Sequence, residues 1–305
     1  MSPRRTTAAA VVVAVVLDAA FREPPPAAHP VRWTGRYLAW SGKRVPSSPP
    51  GRAIAAGGLA WALGAVTAYG AGRLVWRSAA RLPGPVRPLV VGVALWPLFA
   101  HRMLLDEVAA VERALEAGGV EAGRAAVGRI VSRDVSGLTA DEVRQAAVES
   151  LGENLSDSVV APLFWYAVGG LPAAALYRFA NTADAVWGYR TPRWEHAGKV
   201  AARADDLLNL LPARLTGVLL AGGGVSWNRL RAEAALTPSP NAGWPMAALA
   251  LRLGVRLAKP GVYALGEPGR AVGAADTRAA LRLARNRGWA VAAAAAVVAW
   301  IRRRR

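Results

Sequence analysis

Eleven polar or charged residues lie between or inside apolar runs over 149–215: Glu153, Asn154, Asp157, Arg178, Asn181, Asp184, Arg203, Asp205, Asp206, Asn209 and Arg214. Burying a carboxylate, a guanidinium or an amide is costly unless it is paired or faces a water-filled cavity. Polar groups at membrane depth are therefore candidates for handling substrates, ions or protons. The competing reading is interfacial anchoring. In that reading Asp184 and Asp206 neutralise Arg178, Arg203 or Arg214, and Asn154, Asn181 and Asn209 satisfy backbone groups freed by neighbouring prolines. So many such residues in one window favour a polar site.

The elements that must position them are interrupted apolar helices. Residues 158–177 are apolar throughout, yet Pro162, Gly169-Gly170 and Pro172 break the run. Broken helices are tolerated at membrane depth where they line a cavity. A turn at Gly169-Gly170-Leu171-Pro172 leaves two half-helices of about ten residues, each ~15 Å long. That is half the ~30 Å hydrocarbon core, so the segment is expected to dip in and return. The same reasoning, applied to Pro212, predicts a second re-entrant segment at 207–225. Asn181 and Asn209 are then expected to cover the exposed backbone.

Around this centre, 104–149 reads as a soluble helical insertion, with an apolar stripe of Leu104, Val108, Val111 and Leu115. Thr139 and Glu142 have capping-box spacing and open a helix over 140–151 that delivers Glu149, Ser150 and Glu153. Residues 54–72 carry no charge and predict a span whose Gly57, Gly58, Gly64 and Gly70 allow close helix approach. A second span candidate covers 88–100, extended outward to 86 and 105. An N-terminal helix over 8–17 stops at Pro24–Pro26. Residues 29–40 suit an interfacial helix, and 288–301 a closing one. Trp165, Tyr166, Trp187 and Trp244 read as interfacial belt residues. For His29 a loop role is expected, since nothing in the sequence sets a partner beside it.

Composition narrows the class. The chain of 305 residues is 53% hydrophobic with mean hydropathy +0.22, which fits membrane segments mixed with polar loops. It lacks cysteine, so disulfides, thiolate metal sites and a cysteine nucleophile are excluded. Its three histidines are far apart, without an H-x-x-x-H pair. The net charge of +18 is dispersed and accompanies no nucleic-acid motif, so no nucleic-acid partner is expected. Basic flanks of membrane spans, or anionic substrates, explain it better.

Ordered motifs run along nearly the whole chain: LDAAFREPPPAAHPVRWTGR near the start, RIVSRDVSGL at 129–138, and GEN..D..VAPLFW. They continue with YR..NT.DA..GYR, AAR.DD..N..PARL, SPNAGWP at 239–245 and GVRLAKPGVY at 254–263. In order and spacing the chain resembles the adenosylcobinamide-phosphate synthase family, integral-membrane enzymes of cobalamin biosynthesis. Four places depart from that family's pattern. Arg22-Glu23 stand where Gly-Asp is usual before the prolines, Met246 replaces a common glutamate, Thr237 replaces a histidine, and Gly152-Glu153-Asn154 stands where the family has Ala-Glu-Asn.

The resemblance implies ATP-dependent amide formation between the f side-chain carboxylate of adenosylcobyric acid and (R)-1-amino-2-propanol or its O-phosphate. A free carboxylate does not react with amines at neutral pH, so ATP would activate it, with Mg²⁺ beside the phosphates. Asp184, Asp205 and Asp206 are then the expected metal ligands. Glu153, Asn154, Asp157, Asp184 and Asp206 are the expected catalytic set. Arg178, Arg203 and Arg214 would clamp phosphate or carboxylate groups, with Asn181, Asn209 and Asn241 completing substrate binding. No phosphate-binding glycine motif locates the nucleotide. The fold expected is all-α: one polytopic, membrane-embedded catalytic domain over 1–305 with broken or re-entrant helices and the insertion at 104–149. It would sit in the cell membrane, multi-pass, its active site facing the cytoplasm. Corrinoid, amino alcohol and the lipid bilayer are the implied partners, with other cobalamin-assembly enzymes open as further ones. A corrinoid transporter and a non-catalytic membrane scaffold remain the alternatives.

Overall fold

The computed structural model describes residues 3–301. In chain order the helices are α1 (Pro3–Phe21), α2 (Pro30–Gly42), α3 (Pro50–Ala79), α4 (Val86–Leu95), α5 (His101–Val127), α6 (Ala140–Leu155), α7 (Ala161–Trp187), α8 (Lys199–Ala221), α9 (Trp227–Ala234), α10 (Gly243–Leu253) and α11 (Ala274–Ile301). Strands β1 (Leu257–Lys259) and β2 (Tyr263–Leu265) form an antiparallel ribbon between α10 and α11. The all-α class holds, with that ribbon as its one addition among the described residues. Four helical stretches are long and apolar enough to cross a membrane: Pro50–Ala79, Val86–Val127, Ala140–Trp187 and Lys199–Gly224.

The chain divides into two compact units. The first takes Met1–Ala100, Ala161–Leu208 and Val291–Arg305; the second takes His101–Val160 and Asn209–Ala290. The 104–149 segment lies within the second.

In the first unit, α3 packs along α7. Side chains added at Gly64 and Gly72 would collide with Phe179 and Pro172 of α7, and one at Gly57 with Ala197 just before α8, so α3 approaches these segments closely only because the positions are bare. Of the glycines expected to serve this purpose, Gly70 faces open space. Leu38, Ala65, Phe179, Ala183, Trp187 and Ala201 fill the space between α2, α3, α7 and α8. α4 is shorter than the 86–105 span expected. It ends in a single 3₁₀ turn, and Phe99 is extended (φ −133°, ψ 161°), because Pro97 cannot continue the amide ladder.

α7 breaks where the sequence predicts. Gly170 has φ 70° and ψ −164°, a backbone region open in practice only to glycine, and Pro172 follows in the first turn of the new helix. The two halves fold back on each other, as their contacts with α8 prove. The Trp165 indole donates to the Leu208 carbonyl at 3.0 Å, and the Asn181 amide donates to the Asp205 carboxylate at 3.4 Å. On a straight helix those two α7 residues would be ~24 Å apart, whereas their partners lie within one turn of α8.

The second expected break is absent. α8 runs through Pro212 without interruption. Proline has no N–H to give the carbonyl of Leu208, four residues back, and the Trp165 indole supplies the missing donor. Trp165 is thus a backbone partner rather than a belt residue, and neither Asn181 nor Asn209 is needed for that carbonyl.

In the second unit, α5 lies on α6 through a buried pair: Arg144 holds Glu112 at 2.9 Å. The Thr139 capping box forms as expected, the hydroxyl accepting from Glu142 and the carboxylate from the Thr139 amide. Ser239 accepts from the amides of Asn241 and Ala242, shaping the turn into α10.

Candidate functional site

Charged side chains gather in two places, one in each unit. In the first unit, the returning half of α7 carries Arg178, Asn181 and Asp184 at helical spacing along one side. Arg178 donates to the Asn181 amide oxygen at 3.4 Å, and Asn181 passes its own N–H to Asp205. Asp205 is buried. Asp206, the next residue of α8, points about 100° away around the helix. It pairs with Arg203 at 3.4 Å, and its charge acts on Asp184. Asp184, Asp205 and Asp206 do not converge as three ligands: among the described residues no three His, Asp or Glu side chains form a set that could hold a metal ion. The Asp184–Asp206 approach is still a donor set that suits Mg²⁺, which takes one or two carboxylates and fills its other positions with phosphate oxygens and water.

Two further residues join this cluster. His29 caps α2, accepting at Nδ1 from the Val31 amide, and its Nε2 lies 2.8 Å from Glu23. The partner that sequence reasoning did not find for His29 is thus the carboxylate six residues earlier. Burial pushes the Glu23 carboxyl up. The His29 hydrogen bond and charge, with the charges of Arg178 and Arg22, outweigh burial and hold it below the ordinary value of 4.5. The altered Arg22-Glu23-Pro-Pro motif therefore still sets a carboxylate against Arg178.

In the second unit, α6 turns Ala146, Glu149, Ser150 and Glu153 towards a cleft of ≈160 Å³. Residues 130–133, Met246, Lys259 and Tyr263 complete its walls. Arg133 binds Glu149 at 2.9 Å with both side chains largely buried. Gln145 donates to the other Glu149 oxygen at 3.3 Å and is itself anchored on the Ala258 carbonyl. Ser150 donates to the Ile130 carbonyl at 2.9 Å. Burial, together with the neighbouring Glu149 charge, pushes the Tyr263 phenol well above its ordinary value of 10.0. It stays a neutral hydroxyl.

The remaining expected residues have structural partners. Asn154 donates back to the Ser150 carbonyl at 3.0 Å. Asp157 lies in a π-helical stretch, Ser156–Val160, of the kind that often marks functional positions. Arg214 donates to the Leu210 carbonyl at 2.7 Å and to Asn241 at 3.3 Å, with its guanidinium 5.0 Å from the Trp244 ring. It ties the SPNAGWP turn to α8, and Trp244 is its platform. Asn209 and Asn241 are buried. Arg133, Lys259 and Tyr263 were not singled out from the sequence, although each falls in a quoted motif.

Comparison with known proteins covers these positions. The family model described as CobD/Cbib protein matches residues 11–284. A cobalamin biosynthesis protein CobD of Brucella melitensis is 40% identical over 247 residues, 77% of this chain and 76% of its own. The protein of that name in Brucella anthropi is 37% identical over 246 residues, 77% and 75% of the two chains. The one in Rhodobacter capsulatus is 49% identical over 180 residues, 58% and 57%. No solved structure matches. With the match running from α1 into α11 and spanning both charged clusters, the chain belongs to the CobD/Cbib protein family.

Proposed function

We propose that this chain acts in cobalamin biosynthesis by joining the f side-chain carboxylate of adenosylcobyric acid to (R)-1-amino-2-propanol or its O-phosphate. One observation carries the reading: the family match over 11–284 contains every charged position of both clusters, from Glu23 to Lys259. ATP with Mg²⁺ would supply the activation that a free carboxylate lacks. Asp184 and Asp206 suit the metal, and Arg178 and Arg203 suit phosphate or carboxylate oxygens. Asn181 and Asp205 hold Arg178 in register. Glu153 is the carboxylate suited to accept the proton that the amine loses as the amide forms. In this reading the enzyme is multi-pass in the cell membrane with its site open to the cytoplasm. The four long apolar helical stretches support the multi-pass part of that reading.

The test uses the full chain in detergent. Phosphate release from ATP is expected only when corrinoid acid and amine are both present, in step with amide product. Phosphate release independent of the amine, or no amide at all, would overturn the proposal.

A further inference from the structure

The outward face of α3 changes character along its length. At about 100° per residue, Leu59, Leu63, Val66, Gly70, Arg73 and Arg77 fall within about 40° of one line down the helix. Gly57, Gly64 and Gly72, which meet other segments, lie on the opposite side. Leu59, Leu63 and Val66 are more than half exposed. Gly70 has open space beside it, and Arg73 and Arg77 are exposed. The line is thus apolar first, bare at Gly70 and cationic at its end.

The cations want a partner. Neither guanidinium has an ion pair or a hydrogen bond among the described residues. The sequence places none nearby, since from Pro24 to Leu105 it contains no Asp or Glu. Arg87, in the connection to α4, differs: its Nε donates to the Leu82 carbonyl at 2.8 Å. Like charges one turn apart on a helix repel each other, so an anion between Arg73 and Arg77 would stabilise both. Complementing the helix dipole does not account for the pair. That effect is confined to the last turn, which holds Arg77 but not Arg73.

The spacings match those of a lipid. Leu59 lies ~16 Å from Gly70 along the helix axis, close to half of the ~30 Å hydrocarbon core and so to the depth of one leaflet. Arg73 and Arg77 are ~6 Å apart along the axis, and a headgroup layer is roughly 5–8 Å deep. Arg81 follows in the turn after α3, its amide on the Ser78 carbonyl at 3.1 Å, and adds a third positive charge.

We infer that this face binds an anionic phospholipid, with an acyl chain along Leu59, Leu63 and Val66, the glycerol backbone at Gly70, and the phosphate between Arg73 and Arg77. A zwitterionic headgroup would bring an ammonium for which this stretch of chain has no carboxylate. A headgroup of net negative charge brings none. The site rests on the proposed membrane placement of the chain and on nothing in its reaction.

Native mass spectrometry of the full chain in detergent counts bound lipid during titration with dioleoylphosphatidylglycerol or dioleoylphosphatidylcholine. The wild type is expected to bind the glycerol lipid at least about fivefold tighter, the factor that one arginine near an anionic surface contributes. The Arg73→Gln, Arg77→Gln double variant should lose about tenfold or more in affinity for the glycerol lipid and keep its affinity for the choline lipid. Both side chains are exposed, so its melting temperature without lipid should match the wild type. Should it fail to fold, Gly70→Leu takes its place: it fills the bare position without changing charge and should weaken both lipids. An Arg229→Gln, Arg282→Gln variant removes the same charge from other exposed positions and should bind like the wild type.

Equal binding of the two lipids by the wild type overturns the proposal. Equal losses in the two arginine pairs would assign the preference to net charge and overturn the location. Displacement of the glycerol lipid by excess inorganic phosphate, with Gly70→Leu binding like the wild type, would leave a small-anion site and overturn the lipid. Release of the chain from membranes by alkaline carbonate would overturn the placement and the site together. Amide formation is measured separately and stands or falls on its own assay.

Discussion

The Trp165 indole N–H donates to the Leu208 carbonyl, the backbone oxygen that Pro212 leaves without a helical partner. A side chain 43 residues away in sequence thus completes the amide ladder of α8.

That relationship predicts a compensating pair. Trp165→Phe keeps most of the ring and removes the donor, so stability should fall by about 1–3 kcal/mol, the cost of an unsatisfied polar group. In a Pro212→Ala background the new amide can reach Leu208, and Trp165→Phe should then cost much less. Thermal melting of the four proteins in detergent measures the coupling. Equal losses in both backgrounds would mean that the indole bond carries no stability.

Gly170 carries the fold-back of α7. Gly170→Ala forces a β-carbon into a region that only glycine occupies readily, costing about 1–3 kcal/mol. Gly70→Ala, facing open space, should melt like the wild type. The same feature governs sidedness. Single cysteines at Ser136 and Thr191, both exposed in a cysteine-free chain, should be labelled from one side of the membrane. Labelling from opposite sides would show that 158–177 crosses.

In the charged cluster of the first unit, Asp206→Asn should lower amide formation at least about a hundredfold with little change in melting temperature. Glu153→Gln should do likewise from the second unit. Wild-type turnover at saturating Mg²⁺ by either variant removes that residue from the reaction.

A pH dependence follows from the start of α11. Hydrogen bonds from Arg270 hold the Asp276 carboxyl below its ordinary value of 3.8, burial opposes them, and the Gly273 amide adds to the lowering. A carboxyl depressed in the folded state stabilises fully above its unfolded value and ceases to do so as pH falls through the folded one. Melting temperature should therefore drop on acidification below that range, and Asp276→Asn should be less stable at neutral pH with a shallower acid decline. Parallel acid limbs for the two proteins would disprove the assignment.

What the sequence made legible was local. Thr139 and Glu142 are three residues apart, and Gly169-Gly170-Leu-Pro carries its break in its own composition. The β1–β2 ribbon was equally local and was overlooked. Pro260-Gly261 gives a tight turn in which the Val262 amide reaches the Lys259 carbonyl at 2.9 Å, with Gly261 at φ 71°. Pro212 misled because its compensation comes from another helix, which no window around it contains. The cleft was hidden for a similar reason, since its lining is drawn from residues 130–133, α6, α10 and the ribbon. His29 was closer: Glu23 is six residues away, but three intervening prolines turn the chain, and spacing rules do not follow a chain around such a corner.

The bare face of α3 also has a consequence in time. Gly72 meets Pro172, a hundred residues later in the chain. At about 5–20 residues per second of synthesis, α3 waits roughly 5–20 seconds before its partner exists. During that interval Gly64 has Tyr37 of α2 beside it, while Gly57 and Gly72 still lack Ala197 and Pro172. Its large residues Leu59, Leu63, Val66 and Leu74 stay on the outside even when folding is complete. A newborn α3 is therefore already finished on its outer face and unfinished on its inner one until residues 171–200 have been made.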